Sequence, residues 1–306
     1  YEMQRSLVGS EMCIRDSCDT LTVLRDGKII RTFEKAEFEA GAIRASMIGR
    51  ELQGDYYRSD FQASSQPEVA LDVRNLVYED RLKGISFQVH KGEIVGIGGL
   101  AHCGMHSLGK VCFGALKPEE GSVTVEDGTI IDSPAIAMKK RVGYVSKDRD
   151  VESLCLNASI EDNISIAGMS EFAINNFLIL KNREKKYVNH QIEELSIKCA
   201  GRDQSVSQLS GGNKQKVVFG KWIGCGSEIL ILDCPTRGVD IGVKQAMYQL
   251  MVRLKNEGKS ILMISEELPE LIGMSDRILI MKNGEVSAEF ERSETLSDAQ
   301  IIEYMI

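Results

Sequence analysis

Two short stretches of this chain carry residue types whose spacing fits phosphate chemistry. Leu209–Lys216 reads LSGGNKQK. Ser210 brings a hydroxyl, and Gly211 and Gly212 allow close backbone approach where a helix starts. Lys214, Gln215 and Lys216 follow on the first turns. This arrangement suits a γ-phosphate presented from another domain across an interface. Ile229–Asp240 reads ILILDCPTRGVD. Its apolar run predicts a buried strand that ends on Asp233, a carboxylate able to orient Mg2+ through water. The next residue, Cys234, cannot act as a general base or orient an attacking water as a glutamate would.

A third stretch, Gly99–His106, reads GLAHCGMH and lies between an apolar strand and a helix. Gly99 and Gly104 match the GxxxxG spacing of a loop whose backbone N–H groups wrap a phosphate at a helix N-terminus. Met105 stands where a lysine would reach the β- and γ-phosphates, and His106 where a hydroxyl would bind Mg2+. Alone, the loop reads equally as a glycine-rich turn without a ligand. The overlapping Gly96-x-Gly98-x-x-Ala101 fits a dinucleotide fingerprint, but the acidic partner about 20 positions on is not placed for it. Glu126 ends a strand too far along, and Glu119 and Glu120 precede that strand.

The elements that must position these residues alternate along the chain. Val69–Asn75 and Ile85–Val89 predict strands of a small antiparallel lobe. Glu93–Ile97 predicts a buried strand feeding the glycine-rich loop. Ser122–Glu126, Arg141–Val145, Glu228–Leu232 and Ser260–Ile264 predict further strands. A helix is expected at about Val243–Lys255, and roughly Glu152–Ile223 reads as mostly helical. Alternating buried strands and helices imply a mostly parallel α/β sheet.

Cys18–Arg50 reads as strand, turn, strand, helix: Thr20–Leu24, a hairpin turn at Asp26-Gly27, Lys28–Phe33, then Glu37–Ile48. The pattern returns at Asp276–Met281, Asn283-Gly284, Glu285–Phe290 and a helix from Leu296. CDTLTVLRDGKIIRTFEKAEF and SDRILIMKNGEVSAEFERSET form an internal repeat one domain length apart. Gly54–Pro67 is polar and reads as a linker, which leaves residues 68–306 as a complete domain. Residues 1–17 show no period. They resemble an adapter-derived read-through peptide and are expected to lie outside the fold.

Composition narrows the partners. The 306 residues carry a net charge of -8, which argues against nucleic acid or an anionic membrane surface. No apolar run approaches the ~18–20 residues of a membrane span, so a membrane role would pass through other subunits. The eight cysteines are scattered without a CxxC pair, and the four histidines show no ligand spacing. Buried thiols in a reducing cytoplasm are the expectation.

These residues together resemble the ATP-binding subunit of bacterial monosaccharide ABC importers, the ribose, galactose and xylose type. LSGGNKQK, PTRGVD, the GMSDRI stretch at Gly273–Ile278 and MIGREL at Met47–Leu52 carry the resemblance over nearly all of Cys18–Ile306. It implies an ABC-type P-loop NTPase fold: a RecA-like parallel core, an antiparallel β lobe and a helical signature subdomain. In that family one polypeptide carries two ABC domains that pair head to tail. Residues 18–53 would be the tail of the first, and residues 68–306 the second.

The resemblance also assigns roles. Ser210, Gly211, Gly212 and Gln215 would serve ATP held by the first domain, and Asp240 belongs to the D-loop. In this domain's own site, Lys147 stands at the usual glutamine, Cys234 at the catalytic glutamate and Glu266 at the switch histidine. The family's second phosphate loop usually has Arg-Thr where Met105 and His106 stand. Tyr78 would stack on adenine, or is an ordinary strand-end tyrosine. A site built from Gly99, Gly104, Met105, His106, Lys147 and Asp233 is expected to hold nucleotide at most. The implied cofactors are ATP and Mg2+. The implied partners are permease subunits and an extracytoplasmic sugar-binding protein, with the chain peripheral at the cytoplasmic face of the plasma membrane. A regulatory nucleotide-binding module and a non-transport ABC ATPase are the alternatives.

Overall fold

The computed structural model describes residues 18–25, 28–39, 42–43, 46, 56–61, 65–174 and 178–306. The expected terminal peptide, the Asp26-Gly27 turn, the MIGREL stretch and half of the expected Glu37–Ile48 helix lie outside these residues. The chain divides into two compact units, Tyr1–Tyr56 and Tyr57–Ile306.

In the first unit, β1 (Thr20–Arg25) and β2 (Lys28–Glu34) pair antiparallel. Val23, Phe33 and Ile43 form its small core. Leu24 and Ile29 stand 65% and 70% exposed on the hairpin.

The second unit opens with β3 (Val69–Tyr78) and β4 (Leu82–His90), followed by β5 (Ile94–Gly99) and α1 (Met105–Cys112). Then come β6 (Glu120–Val125), α2 (Pro134–Lys139) and β7 (Val142–Val145). Strands β4, β3 and β6 make the expected antiparallel lobe. β3 and β4 run longer than their apolar alternation suggested, because Asn75, in a left-handed conformation, lets β3 bulge and continue.

The helical region holds α3 (Ile160–Ser165), α4 (Met169–Phe172), the short pair β8 (Ala173–Ile174) and β9 (Leu178–Ile179), then α5 (Lys181–Glu194) and α6 (Gly211–Gly224). The region is mostly helical as expected, with the short β8–β9 ribbon as an addition. Val217, Phe219, Ile164 and Val188 are fully buried within this region.

The chain returns to the sheet through β10 (Ile229–Asp233), α7 (Ile241–Asn256), β11 (Ser260–Ile264) and α8 (Leu268–Met274). β12 (Arg277–Lys282), β13 (Glu285–Glu291) and α9 (Asp298–Met305) complete it. The main sheet runs β13-β12-β5-β11-β10-β7, parallel except for β13. Every residue of β5, β7, β10 and β11 is buried, as expected of strands covered on both faces.

The repeat seen in the sequence is also a repeat of register. β1–β2 and β12–β13 each leave two residues in the turn, and each carries an irregularity two positions from its end, at Val23/Leu24 and Ile280/Met281.

The GMSDRI stretch is a packing hub. Asp276, 1% exposed, accepts from the Ile94 N–H (2.8 Å) and from Arg58 Nη1 (3.0 Å), and Lys255 Nζ stands 3.2 Å away. The second unit thus begins inside the segment expected to be linker. Arg58 is buried there, and Arg292 reaches back to its carbonyl at 3.1 Å. An ion pair, invisible to a composition argument, docks this polar stretch.

Candidate functional site

The site gathers at the carboxyl ends of the parallel strands. β5 ends at Gly99, and the loop reaches α1 through Gly104, which takes a φ of 102°. A Cβ at Gly104 would stand 2.1 Å from the Arg81 carbonyl oxygen, so only glycine lets the loop lie against the β3–β4 hairpin. Tyr78 closes β3 on that same hairpin. Met105, 1% exposed, turns away from any ligand and into the core. His106 begins the first turn of α1 beside it, half-buried.

Asp233 ends β10 fully buried. Its Oδ1 lies 2.7 Å from His106 Nδ1, and its Oδ2 accepts from the Tyr144 hydroxyl at 3.3 Å. Tyr144 is held in turn by stacking on Phe113, with ring centroids 5.4 Å apart. Burial, and then the Asp233 charge, push the Tyr144 hydroxyl far above its ordinary pKa, so it stays a donor.

The other face of His106 is also engaged. Lys147 Nζ lies 2.9 Å from His106 Nε2 and donates to Glu266 Oε1 at 2.6 Å. Glu266 Oε1 is 3.4 Å from His106 Nε2. Burial opposes the charge on Glu266, but the Lys147 hydrogen bond and charge, with His106, hold its pKa below the usual value. Four residues from four separate elements thus satisfy one another where a triphosphate and its cation would bind.

Cys234 is buried in a left-handed conformation (φ 49°), its N–H donating to the Ile264 carbonyl at 2.8 Å. Burial, followed by the charges of Asp233 and Glu266, pushes its thiol well above the ordinary range. It is no proton acceptor at neutral pH.

The signature residues occupy α6. Ser210 is exposed and caps the helix, accepting from the Asn213 N–H at 3.4 Å. Gly212 lies against α7, where a Cβ would meet Val243 Cγ2 at 2.6 Å. Gly211 is half-exposed beside Ser210. Gln215 corrects the sequence expectation: it is 2% exposed, on the inward face of α6, and is not presented with Ser210. Helix period puts it in line with Gly212, Phe219 and Trp222, all buried. Asp240 is exposed and caps α7 through the Val243 N–H at 3.0 Å.

Two residues within VGYVSKDR acquire roles that their types did not announce. Tyr144 orients Asp233. Arg149 donates to the Arg237 carbonyl (2.7 Å) and reaches Gln215 Oε1 (3.5 Å), joining the loop after β7 to the D-loop and the signature helix.

A parallel sheet, a glycine loop opening a helix, and a capped signature helix before the Asp233 strand define an ABC-type P-loop NTPase domain. The chain belongs to the ABC transporter family, whose profile matches residues 82–237. Among solved structures, it resembles a nucleotide-free ATP-binding cassette from an ABC transporter, with TM-score 0.64 and 24% identity over 78% of this chain and 99% of that one. A cassette of Clostridium perfringens, part of an ABC transporter complex, gives TM-score 0.63 and 25% identity over 77% and 94%. The ribose import ATP-binding protein of Clostridium tetani is 37% identical over 290 residues, 94% of this chain and 57% of that protein. Its Bacillus subtilis counterpart is 38% identical over 282 residues, 92% and 56%. The chain spans little more than half the length of these curated relatives.

ABC ATPase domains bind ATP, normally with Mg2+. The residues at this domain's own site do not fit Mg2+. It is a hard ion that takes oxygen donors and keeps several waters. Here an imidazole replaces the hydroxyl, an ammonium replaces the amide, and Asp233 Oδ1 is engaged by the His106 ring.

Proposed function

We propose that this chain is part of the ATP-binding, energy-coupling component of an ABC importer for a monosaccharide. Ribose-type sugars are the nearest class, since ribose import is what its relatives are described as serving. Residues 68–306 act as the second of two tandem ABC domains, and residues 18–53 as the end of the first. The shared register of β1–β2 and β12–β13 supports this reading. So do the apolar Leu24 and Ile29, exposed on the hairpin whose counterpart lies at the edge of the main sheet.

The two domains divide the labour. Ser210, Gly211 and Gly212 close on the γ-phosphate of Mg-ATP held by the first domain. This domain's own site does not hydrolyse ATP. It lacks the lysine, the general base and the switch histidine, and losing one such group commonly costs about 10²-fold or more in rate. Tyr78, Gly99 and Gly104 are the residues through which it would still hold a nucleotide. ATP closes the pair and hydrolysis reopens it. The motion passes through the helical region and the Lys147 loop to membrane permease subunits, to which an extracytoplasmic sugar-binding protein delivers substrate. The protein then works peripherally at the cytoplasmic face. No helix among the described residues is long and apolar enough to cross a membrane.

One observation carries the reading: a signature helix whose capped start at Ser210 is exposed sits in the same domain as a site closed by its own side chains. The test is Ser210→Arg in the full two-domain protein, placing a bulky cation where the γ-phosphate must approach. ATPase activity is expected to fall by about 10²-fold or more. Undiminished turnover would refute the cross-interface role and leave a regulatory module as the better reading.

A further inference from the structure

The groups gathered at Asp233 are not an arbitrary ruin of a phosphate site. His106, Asp233 and Cys234 offer one ligand atom each, and these atoms all lie within 4.8 Å of one another. The fold brings them together from the start of α1 and the end of β10. Nothing in their sequence spacing announces a ligand set, because His106 is 127 positions from Asp233. We propose that this domain's former nucleotide site is a transition-metal site, with Zn2+ the fitting ion.

The donor set decides the class of ion. The imidazole is a borderline donor and the thiolate a soft one, so two of the three ligands favour Zn2+ over Mg2+ or Ca2+, which demand oxygens throughout. Three protein ligands and an open fourth position match the arrangement that Zn2+ takes when it keeps a water or an exchangeable ligand. Zinc bonds of about 2.0–2.3 Å need ligand atoms on the order of 3.5 Å apart. The ligand atoms lie within 4.8 Å of one another, so they would have to draw together as the metal replaces the His106–Asp233 hydrogen bond.

The surroundings supply what such ligands need. A metal-bound histidine donates its other ring nitrogen to a carboxylate, and ligating carboxylates are themselves hydrogen-bonded. Glu266 Oε1 already lies 3.4 Å from His106 Nε2, and the Tyr144 hydroxyl donates to Asp233 Oδ2. Charge balances as well. The ion displaces the Cys234 thiol proton to water and forms the metal–sulfur bond. The dication is then neutralised by the Asp233 carboxylate and the Cys234 thiolate. Lys147 keeps its own pair with Glu266, 2.6 Å away, and turns off the His106 ring. The ion would join the start of α1 to the end of β10 and the first residue after it.

The inference concerns this site alone and stands whether or not the signature reading holds. Its test is titration of the reduced, purified chain with Co2+ as a spectroscopic probe and with Zn2+ against a chromophoric chelator. One equivalent of Co2+ is expected to give thiolate-to-cobalt charge-transfer absorption with the visible bands of a four-coordinate ion. Cys234→Ser should abolish the charge-transfer band. His106→Ala, at a half-buried position that leaves the core intact, should weaken Zn2+ binding by more than about 100-fold. Glu266→Gln should weaken it by about 10–100-fold. Absence of the band in the unmodified chain would overturn the proposal. Its persistence in Cys234→Ser, or unchanged Zn2+ affinity in His106→Ala, would do the same.

Discussion

At the residue scale, Glu270 shows how this domain holds a carboxyl group buried close to the Asp233 site. It is 1% exposed, accepts from Thr236 Oγ1 at 2.6 Å and is also hydrogen-bonded by Ser265. Burial raises its pKa above 4.5 despite those two bonds. A folded-state pKa above the unfolded one means that the folded protein holds its proton more tightly. The resulting stability is complete below about pH 4.5 and is lost as pH rises through the raised value. Glu270→Gln removes that loss. Its melting temperature should match the parent's near pH 4.5 and exceed it increasingly toward about pH 8. A constant difference across that range would show that Glu270 is ionised throughout.

At the element scale, Asp276 ties together segments far apart in the chain. It joins the start of β5, the residues just before β12, the end of α7 and the segment at Arg58. Removing its carboxylate leaves two buried cations, Arg58 and Lys255, without their shared partner. Breaking one side of a buried pair costs about 3–5 kcal/mol. Asp276→Ala should therefore lower the denaturation free energy by about that amount, measured by chemical unfolding. A change within about 0.5 kcal/mol, as for an ordinary surface position, would show that the cations find other partners. Lys255 already donates to the Gly92 carbonyl at 2.9 Å, so the lower end of the range is the nearer expectation. The GMSDRI stretch therefore has a structural role apart from the site: its aspartate ties β5 to the segments around it.

At the scale of the whole molecule, the second unit has the form of a nucleotide-handling domain, and its own chemistry does not match that form. The loop, the Asp233 strand and the signature helix stand in their expected places, but the ligand positions are filled from within. Calorimetric titration of Mg-ATP into the purified chain, with phosphate release followed in parallel, should show no turnover. Weak heat without phosphate would mean that the Lys147–Glu266 and His106–Asp233 contacts yield to a triphosphate. Steady release of phosphate would refute the argument from Met105, Cys234 and Glu266 together.

Local pattern was enough for the architecture. ILILD, SILMI and VGYV are short apolar runs that only a strand buried on both faces can use, so the parallel sheet was legible. The Asn283-Gly284 turn was legible because a two-residue hairpin turn needs positive φ at both positions, which Asn and Gly adopt readily. So was the helix start at Ser210, because capping depends on a side chain and the backbone a few residues ahead, whereas the helix expected from about Val243 begins at Ile241, capped by Asp240. The identity of the missing groups was legible too, since a methionine or a cysteine lacks the needed atom wherever it points.

What the missing groups were replaced by became visible only in three dimensions. Gln215 sits five residues after Ser210 and was expected beside it, but the neighbours of α6 decide which helical face is covered. Arg58 lies in a polar stretch, and only the position of Asp276, 218 residues away, explains its burial. His106 and Cys234 read as losses until the fold sets both beside Asp233. A residue's chemistry is inherent in its type, but a site's chemistry depends on distances of a few ångströms between groups far apart in the chain, and tertiary packing alone sets those distances.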